Sequence, residues 1–303
     1  MIAAHCLSER TVTRIKQLGF NKATLDQVFV LAQVLIDHHP ITVRGAFYRA
    51  VSSGAYPNTD EAYYRQASNI VLKLRRGGLI PYDWVPDSTR LRLKSSSWSG
   101  LEDFGDTVRD CYRKDFWAGQ SGYIEFIVEK DAMAGVLRPV TDEFDVHLNV
   151  IRGNSSETFV WTLAEALKDI EKPISLYYLG DHDPNGLDIE RDLQTRLRGF
   201  LGTKEFTWQR LGITGDDFKR EDLLGFPVRP SGSKSWRRRT GDYIEQHGDR
   251  CVEIDAIPPA EIRQRLRDTI EGHIDQGAWE RLRVVERAER ETINKVFGKS
   301  ASR

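Results

Sequence analysis

Cysteine is scarce in this chain. Cys6, Cys111 and Cys251 are the only three in 303 residues, and none belongs to a Cys-x-x-Cys pair. An odd number of widely separated thiols excludes a disulfide framework or a zinc knuckle as the organising feature, and it fits a reducing compartment. No apolar run approaches the ~20 residues that a membrane helix needs. The opening stretch, residues 1–10, lacks the basic-then-apolar order of a secretory signal. A cytoplasmic location with no membrane partner is therefore expected. A Gly-x-x-x-x-Gly-Lys-Ser/Thr loop is missing as well, which excludes a P-loop ATPase. Internal repeats and low-complexity tracts are also lacking. Net charge is nearly absent, since 44 basic residues meet 45 acidic ones to give -1. That balance excludes a chain-wide excess of positive charge, although the charge that matters for binding is local. What remains is 40% apolar and 29% charged, the composition of a globular protein with length for about two domains.

The first part reads as helical. Leu25, Val28, Phe29, Leu31, Ala32, Leu35 and Ile36 recur at helical spacing over 23–39, and Pro40 follows. Thr42 is placed to cap a second helix over 43–51, and Thr59 or Asp60 a third that runs to Arg76. Residues 79–84 then read as a short extended segment with a turn. Three helices followed by a small β element outline a winged helix-turn-helix; an ordinary helical bundle has the same spacing. Between Tyr64 and Ser95 stand Arg65, Lys73, Arg75, Arg76, Arg90, Arg92 and Lys94 against Asp83 and Asp87, seven minus two, or +5. Interleaved with Tyr64, Tyr82 and Trp84, such a patch suits a phosphate backbone, and a solvated helix face is the alternative.

After a polar, aromatic-rich connector over 98–121 the pattern changes. Strands are predicted over 123–128, 146–152, 173–179 and 206–211, with helices over 132–144, 157–170 and 187–200 between them. Alternation of this kind predicts a parallel α/β sheet. The expected division is a helical domain over 1–100 and an α/β domain over 118–303 with a C-terminal helical extension.

Two predicted strand ends carry acids. One is Val128-Glu129-Lys130-Asp131, and the other is Gly180-Asp181-His182-Asp183-Pro184-Asn185-Gly186. Asp181 and Asp183 share one face of an extended segment, with His182 pointing the other way. In a parallel sheet the carboxyl ends of the strands form the ligand crevice, so Glu129, Asp181 and Asp183 are expected to converge. Carboxylates so close repel one another, and a hard divalent cation relieves that repulsion. A polar strand-to-helix turn with no metal is the plainer reading of the second segment.

Val128-Glu129-Lys130, Arg152-Gly153-Asn154 and the Gly180–Gly186 segment resemble a Toprim domain, the Mg²⁺-dependent module of topoisomerases, primases and nucleases. The Asp-x-Asp-Pro-x-Gly form most resembles the A subunit of topoisomerase VI and its meiotic double-strand-break relative. In that family a winged-helix domain precedes the Toprim domain and carries a catalytic tyrosine. Thr42-Val43-Arg44-Gly45-Ala46-Phe47-Tyr48-Arg49 resembles the tyrosine motif, with Tyr48 on the nucleophile and Arg44 on the preceding arginine; Gly45 stands where the family has an acid. The resemblance covers roughly residues 25–200. Beyond it, the 252–257 segment is similar to an acidic strand of the family. The resemblance implies metal ligation by Glu129, Asp181 and Asp183 with Mg²⁺ (or Mn²⁺), and cleavage of DNA through a phosphotyrosyl link. It also implies a homodimer in which one subunit's tyrosine meets the other's metal site, and a separate ATPase or accessory subunit. Bacterial and phage nucleases of the Wadjet type resemble this architecture too. They imply the alternative of hydrolysis by metal-activated water. A non-catalytic DNA-binding protein with a degenerate Toprim domain is the third possibility. From periodicity alone, Tyr48 reads as a core aromatic rather than a nucleophile.

The basic run Lys234, Arg237, Arg238 and Arg239 around Trp236, after a Pro-Ser-Gly-Ser segment, reads as a loop suited to DNA backbone contact. Residues 258–274 and 279–296 read as amphipathic helices with many Arg–Glu pairs.

Overall fold

The computed structural model describes residues 7–85, 96–228 and 234–297. Four helices open the chain: α1 (Glu9–Gln17), α2 (Leu25–His38), α3 (Val43–Ser52) and α4 (Glu61–Arg76). Thr42 caps α3, its hydroxyl accepting from the Gly45 N–H at 2.8 Å, which satisfies one of the orphan donors of the first turn. Helices α2, α3 and α4 pack on one another through Val28, Leu31, Leu35, Ala46, Phe47, Ala50, Ala67 and Leu74, all buried. The extended segment expected over 79–84 is instead a 3-10 turn at Tyr82–Trp84. The turn lets the Trp84 ring stack on His39 at 3.9 Å and its carbonyl accept from the Ile41 N–H at 3.0 Å. Residues 86–95, with Arg90, lie outside the described residues.

The connector contains a helix, α5 (Leu101–Cys111). The sheet follows as β1 (Tyr123–Val128), α6 (Asp131–Phe144), β2 (His147–Val150), α7 (Glu157–Lys168), β3 (Ile174–Leu179), α8 (Pro184–Leu201) and β4 (Thr207–Arg210). Its order is β2-β1-β3-β4, and every pairing is parallel. Along β1, Ile124, Phe126 and Val128 face one apolar layer and Ile127 the other, the period-2 alternation of a strand covered on both faces. Helix α6 covers the first layer, α7 and α8 the second. The fold is therefore α/β with a doubly wound parallel sheet. Successive crossovers leave β1 in opposite directions, so the switch point lies between the carboxyl ends of β1 and β3, where such sheets form their crevice.

The remainder comprises α9 (Gly215–Lys219), β5 (Gly225–Phe226), α10 (Lys234–His247), β6 (Cys251–Val252), α11 (Pro259–Glu271) and α12 (Gln276–Phe297). Two expectations change here. The basic run read as a loop begins α10. That helix is held by Tyr243, whose hydroxyl donates to the Arg250 carbonyl at 2.8 Å, and by the ion pair of Arg239 with Asp188 of α8 at 2.5 Å. The acidic strand expected over 252–257 ends at Val252, and Ile254–Ala256 is a 3-10 turn. The helical part docks on that turn through α3, and one apolar cluster runs from Leu7 to Ile270 across both expected domains. Helix α5 packs against α12. Among the described residues, no helix is long and apolar enough to cross a membrane.

Candidate active site at the carboxyl edge of the sheet

Glu129 follows β1 directly, and its N–H still bonds the Leu179 carbonyl at 2.9 Å, so the pairing with β3 carries it to the switch point. The two donors it takes, the Tyr178 hydroxyl and the Asp181 N–H, both reach Oε2 at 3.2 Å. The neighbouring glycines make room for this carboxylate. A methyl group on Gly180 would lie 2.7 Å from Glu129 Oε2, and one on Gly186 would lie 2.5 Å from the Asp181 carbonyl oxygen. Asp181 is buried, with Oδ1 accepting from the Ile254 N–H at 2.8 Å and Oδ2 paired to Lys130 Nζ at 2.9 Å. Asp183 behaves differently. It is the N-cap of α8, accepting from the Asn185 and Gly186 N–H groups at 2.9 and 2.7 Å, and Pro184 occupies the first helical position, where its missing N–H costs nothing. Of the three expected ligands, Glu129 and Asp181 share the switch point and Asp183 is turned into a helix cap. His182 points away, stacked on Phe218 at 4.2 Å and 2.9 Å from the Tyr243 hydroxyl. Burial, with Arg210 and His247 nearby, lowers its pKa to about 4.

Three more charged groups complete the cluster, none assigned a role by the sequence. Lys130 contacts Glu253 at 2.6 Å and Asp255 at 3.0 Å as well as Asp181. Burial works against its charge, but Asp181, Asp255 and Glu253 outweigh burial and keep the ammonium protonated. Asp255 also accepts from the Thr42 hydroxyl, and Glu253 takes Arg44 Nη1 at 3.0 and 3.2 Å. The start of α3 is thereby tied to the acidic cluster. Glu253-x-Asp255 repeats the one-residue spacing of Asp181-x-Asp183, a signal that could have marked it.

Tyr48 is 5% exposed. It lines a cavity of about 170 Å³ together with Arg44, Thr59, Glu61, Tyr64 and Glu253. Arg44 also lies over the Tyr64 ring at 4.9 Å. Burial first, and Glu253 next, push the Tyr48 phenol well above its ordinary value; Arg44 and Lys130 pull the other way and do not prevail. Arg44, one helical turn before Tyr48, is already partnered by Glu253. The cluster beside Tyr48 belongs to its own chain.

As the chain stands, no three carboxylate, imidazole or thiolate groups among the described residues are placed to close on one metal ion. The donor chemistry nonetheless fits a hard divalent cation, since every candidate ligand is a carboxylate oxygen. Charge compensation is also uneven. Burial raises Asp181 to about 7, with Lys130 opposing and Glu129, Glu253 and Asp183 adding to it. Burial likewise raises Glu129, the Asp181 N–H opposing and Asp183 adding. Asp255 is equally buried, but Lys130 and Thr42 outweigh burial and lower it. Negative charge is thus in excess on the Glu129–Asp181 side, where Mg²⁺ or Mn²⁺ would relieve it.

The expected DNA contacts lie on two helices. On α4, Arg65, Lys73 and Arg76 are exposed and Arg75 is half-buried. Lys73 donates to the Gly19 carbonyl at 3.0 Å and Arg75 to the Tyr82 carbonyl at 3.1 Å. Arg65 and Lys73 line a groove with Phe20, Gln66 and Asn69. On α10, Arg237 and Arg238 are exposed. The Lys234 side chain, like Arg90, lies outside the described residues. No family model matches the chain, and no curated protein is found similar to it.

Proposed function

We propose that this chain cleaves DNA strands with Mg²⁺, in the manner of the topoisomerase VI A subunit, with Tyr48 as nucleophile. In this reading the helical part is a winged helix and the sheet a Toprim domain. One observation carries the proposal: Tyr48, Arg44, Lys130 and the Glu129–Asp181 pair gather where α3 meets the switch point of the sheet. Glu129 and Asp181, with Asp183, would hold Mg²⁺, which when bound neutralises charge on the phosphate oxygens. Burial keeps the Tyr48 phenol protonated until substrate arrives. The Tyr48 oxygen attacks phosphorus while its proton passes to Glu253, which lines the same cavity. The phosphotyrosyl bond forms as the bond to the leaving sugar oxygen breaks, and that oxygen takes up a proton from water. Arg44, released from Glu253 as the latter is neutralised, binds the phosphate. Cutting both strands requires two chains, hence a homodimer, and a full strand-passage cycle requires a separate ATPase or accessory subunit.

A second reading has its own support. The burial of Tyr48 and its raised pKa favour water as nucleophile, which makes the chain a hydrolytic Toprim endonuclease. The test is supercoiled plasmid incubated with Mg²⁺ and resolved with and without protease. A protein–DNA adduct that vanishes in Tyr48→Phe is the expected result. Cleavage that survives Tyr48→Phe without an adduct selects hydrolysis, and binding with no cleavage selects a non-catalytic DNA-binding protein.

A further inference from the structure

Helix α4 has two unlike sides. Ala67, Ile70, Val71 and Leu74 are buried within the helical part. On the opposite side Ala62, Arg65 and Asn69 are exposed and Gln66 is half-buried. Spacings of three and four residues link these four positions, so their side chains form one patch. Arg65 reaches the Glu61 carbonyl of its own helix at 3.4 Å. Neither the Gln66 nor the Asn69 amide has a hydrogen-bond partner among the described residues. The patch continues into positive charge, with Lys73 one turn beyond Asn69 and Arg76 exposed after it. Glu61, the single acid of the helix, lines the Tyr48 cavity instead.

The residue types decide what such a face can bind. A phosphate backbone asks only for positive charge, and an amide adds nothing to that attraction. An Asn or Gln amide does match the donor and acceptor on the major-groove edge of adenine, an Arg fork matches guanine, and an Ala methyl packs on the thymine methyl. All of these stand within two turns of α4. A face made only for solvent mixes its charges, as Glu280, Arg281, Arg283, Arg287 and Glu291 do on the exposed side of α12. A major groove about 12 Å wide admits one α-helix. We infer that this patch of α4 enters the major groove of duplex DNA and reads base edges, so that the chain selects its sites by sequence. Gln66 and Asn69 address adenine, Arg65 addresses guanine, and Arg76 holds a flanking phosphate. The inference rests on the reading of the helical part as the DNA-binding unit and adds sequence selection to it.

The full-length chain, with EDTA present to prevent cleavage, is equilibrated with duplex DNA carrying a randomised core, and the bound fraction is sequenced. An enriched motif containing adenine and guanine is expected. Fluorescence anisotropy then compares the enriched duplex with a scrambled one at fixed salt. The wild type is expected to prefer the enriched duplex by at least ~10-fold, which one good bidentate contact supplies. Asn69→Ala is expected to lose the preference at one base pair while holding the scrambled duplex within about 2-fold of the wild type, its salt dependence unchanged. Arg76→Ala should weaken both duplexes alike and lower the slope of log affinity against log salt by about 1. Equal binding of all sequences overturns the inference and leaves the cleavage reading standing. So does a preference that survives intact in Arg65→Ala, Gln66→Ala and Asn69→Ala. Sequence preference in a chain that cuts no DNA when Mg²⁺ is supplied supports the inference and sinks the cleavage reading. Absence of any binding to duplex DNA overturns both.

Discussion

Glu125 and Glu129 lie on or just beyond the same strand, β1, four residues apart and both buried, yet the two ends of the sheet treat them differently. At the amino end, Glu125 meets neutral donors, the Tyr123 hydroxyl at 2.5 Å and the Asn149 amide at 2.6 Å. At the carboxyl end, Glu129 meets two donors on one oxygen only, and Asp183 at the start of α8 adds negative charge that Lys130 opposes. A buried carboxylate is therefore not in itself a functional signal. Neutral hydrogen bonds complete the first, whereas the second remains short of positive charge, and that shortage marks the site.

Substitution tests the contrast. Glu129→Gln is expected to lower plasmid cleavage by at least ~100-fold, the order seen when one charge-stabilising group is removed from an active site. Glu125→Gln is expected to stay within about 3-fold of the wild type, and equal losses in the two would break the comparison. Asp217 extends the contrast to a carboxylate with ample positive charge. Burial raises its pKa, but Arg265 at 2.6 Å and the Thr214 cap outweigh burial and bring it down to about 2. Because the folded value lies below the ordinary 3.8, this stabilisation is complete above pH ~4 and is lost as pH falls toward 2. Denaturant melts of the wild type against Asp217→Asn should converge by about 2 kcal/mol across that window. A gap independent of pH would deny the pairing its role.

Smaller still is the effect on stability at the two ends of β1. Glu125→Gln should cost about 1 kcal/mol, because a charged acceptor of two hydrogen bonds is lost. Glu129→Gln should be neutral or stabilising, as expected where function tolerates crowded charge. The smallest expected effect is that of Arg238→Ala on DNA affinity, a drop of about 1 in the slope of log affinity against log salt, with cleavage at saturating DNA unchanged.

Much of the sheet was legible. All four strands fall within their expected spans, because β-branched and aromatic runs alternate with helical periods and a glycine follows β2, β3 and β4 closely. Glu129 and Asp181 were legible for the same reason, as acids placed at strand ends. Lys130, Glu253 and Asp255 were not, since their meeting depends on a pair of two-residue strands, β5 and β6, and a 3-10 turn that carry no periodicity. Helix α10 was hidden because its buried face is narrow, with Thr240 and Tyr243 buried among arginines. Helix α5 was hidden because its one buried position, Gly105, lies against Phe297 of α12, a tertiary contact far away in sequence. The tie from Thr42 and Arg44 to the acidic cluster is likewise tertiary. The sequence placed Arg44 beside Tyr48, and the structure adds that Glu253 holds it.

The most direct measurement compares Asp181→Asn with the wild type for Mg²⁺-dependent plasmid cleavage and for DNA affinity at fixed salt. Cleavage is expected to fall by at least ~100-fold while affinity changes by less than about 2-fold, because the proposed reading puts the DNA grip on α4 and α10 and the chemistry at the switch point. Undiminished cleavage in Asp181→Asn, or a loss of binding as large as the loss of cleavage, would contradict that division.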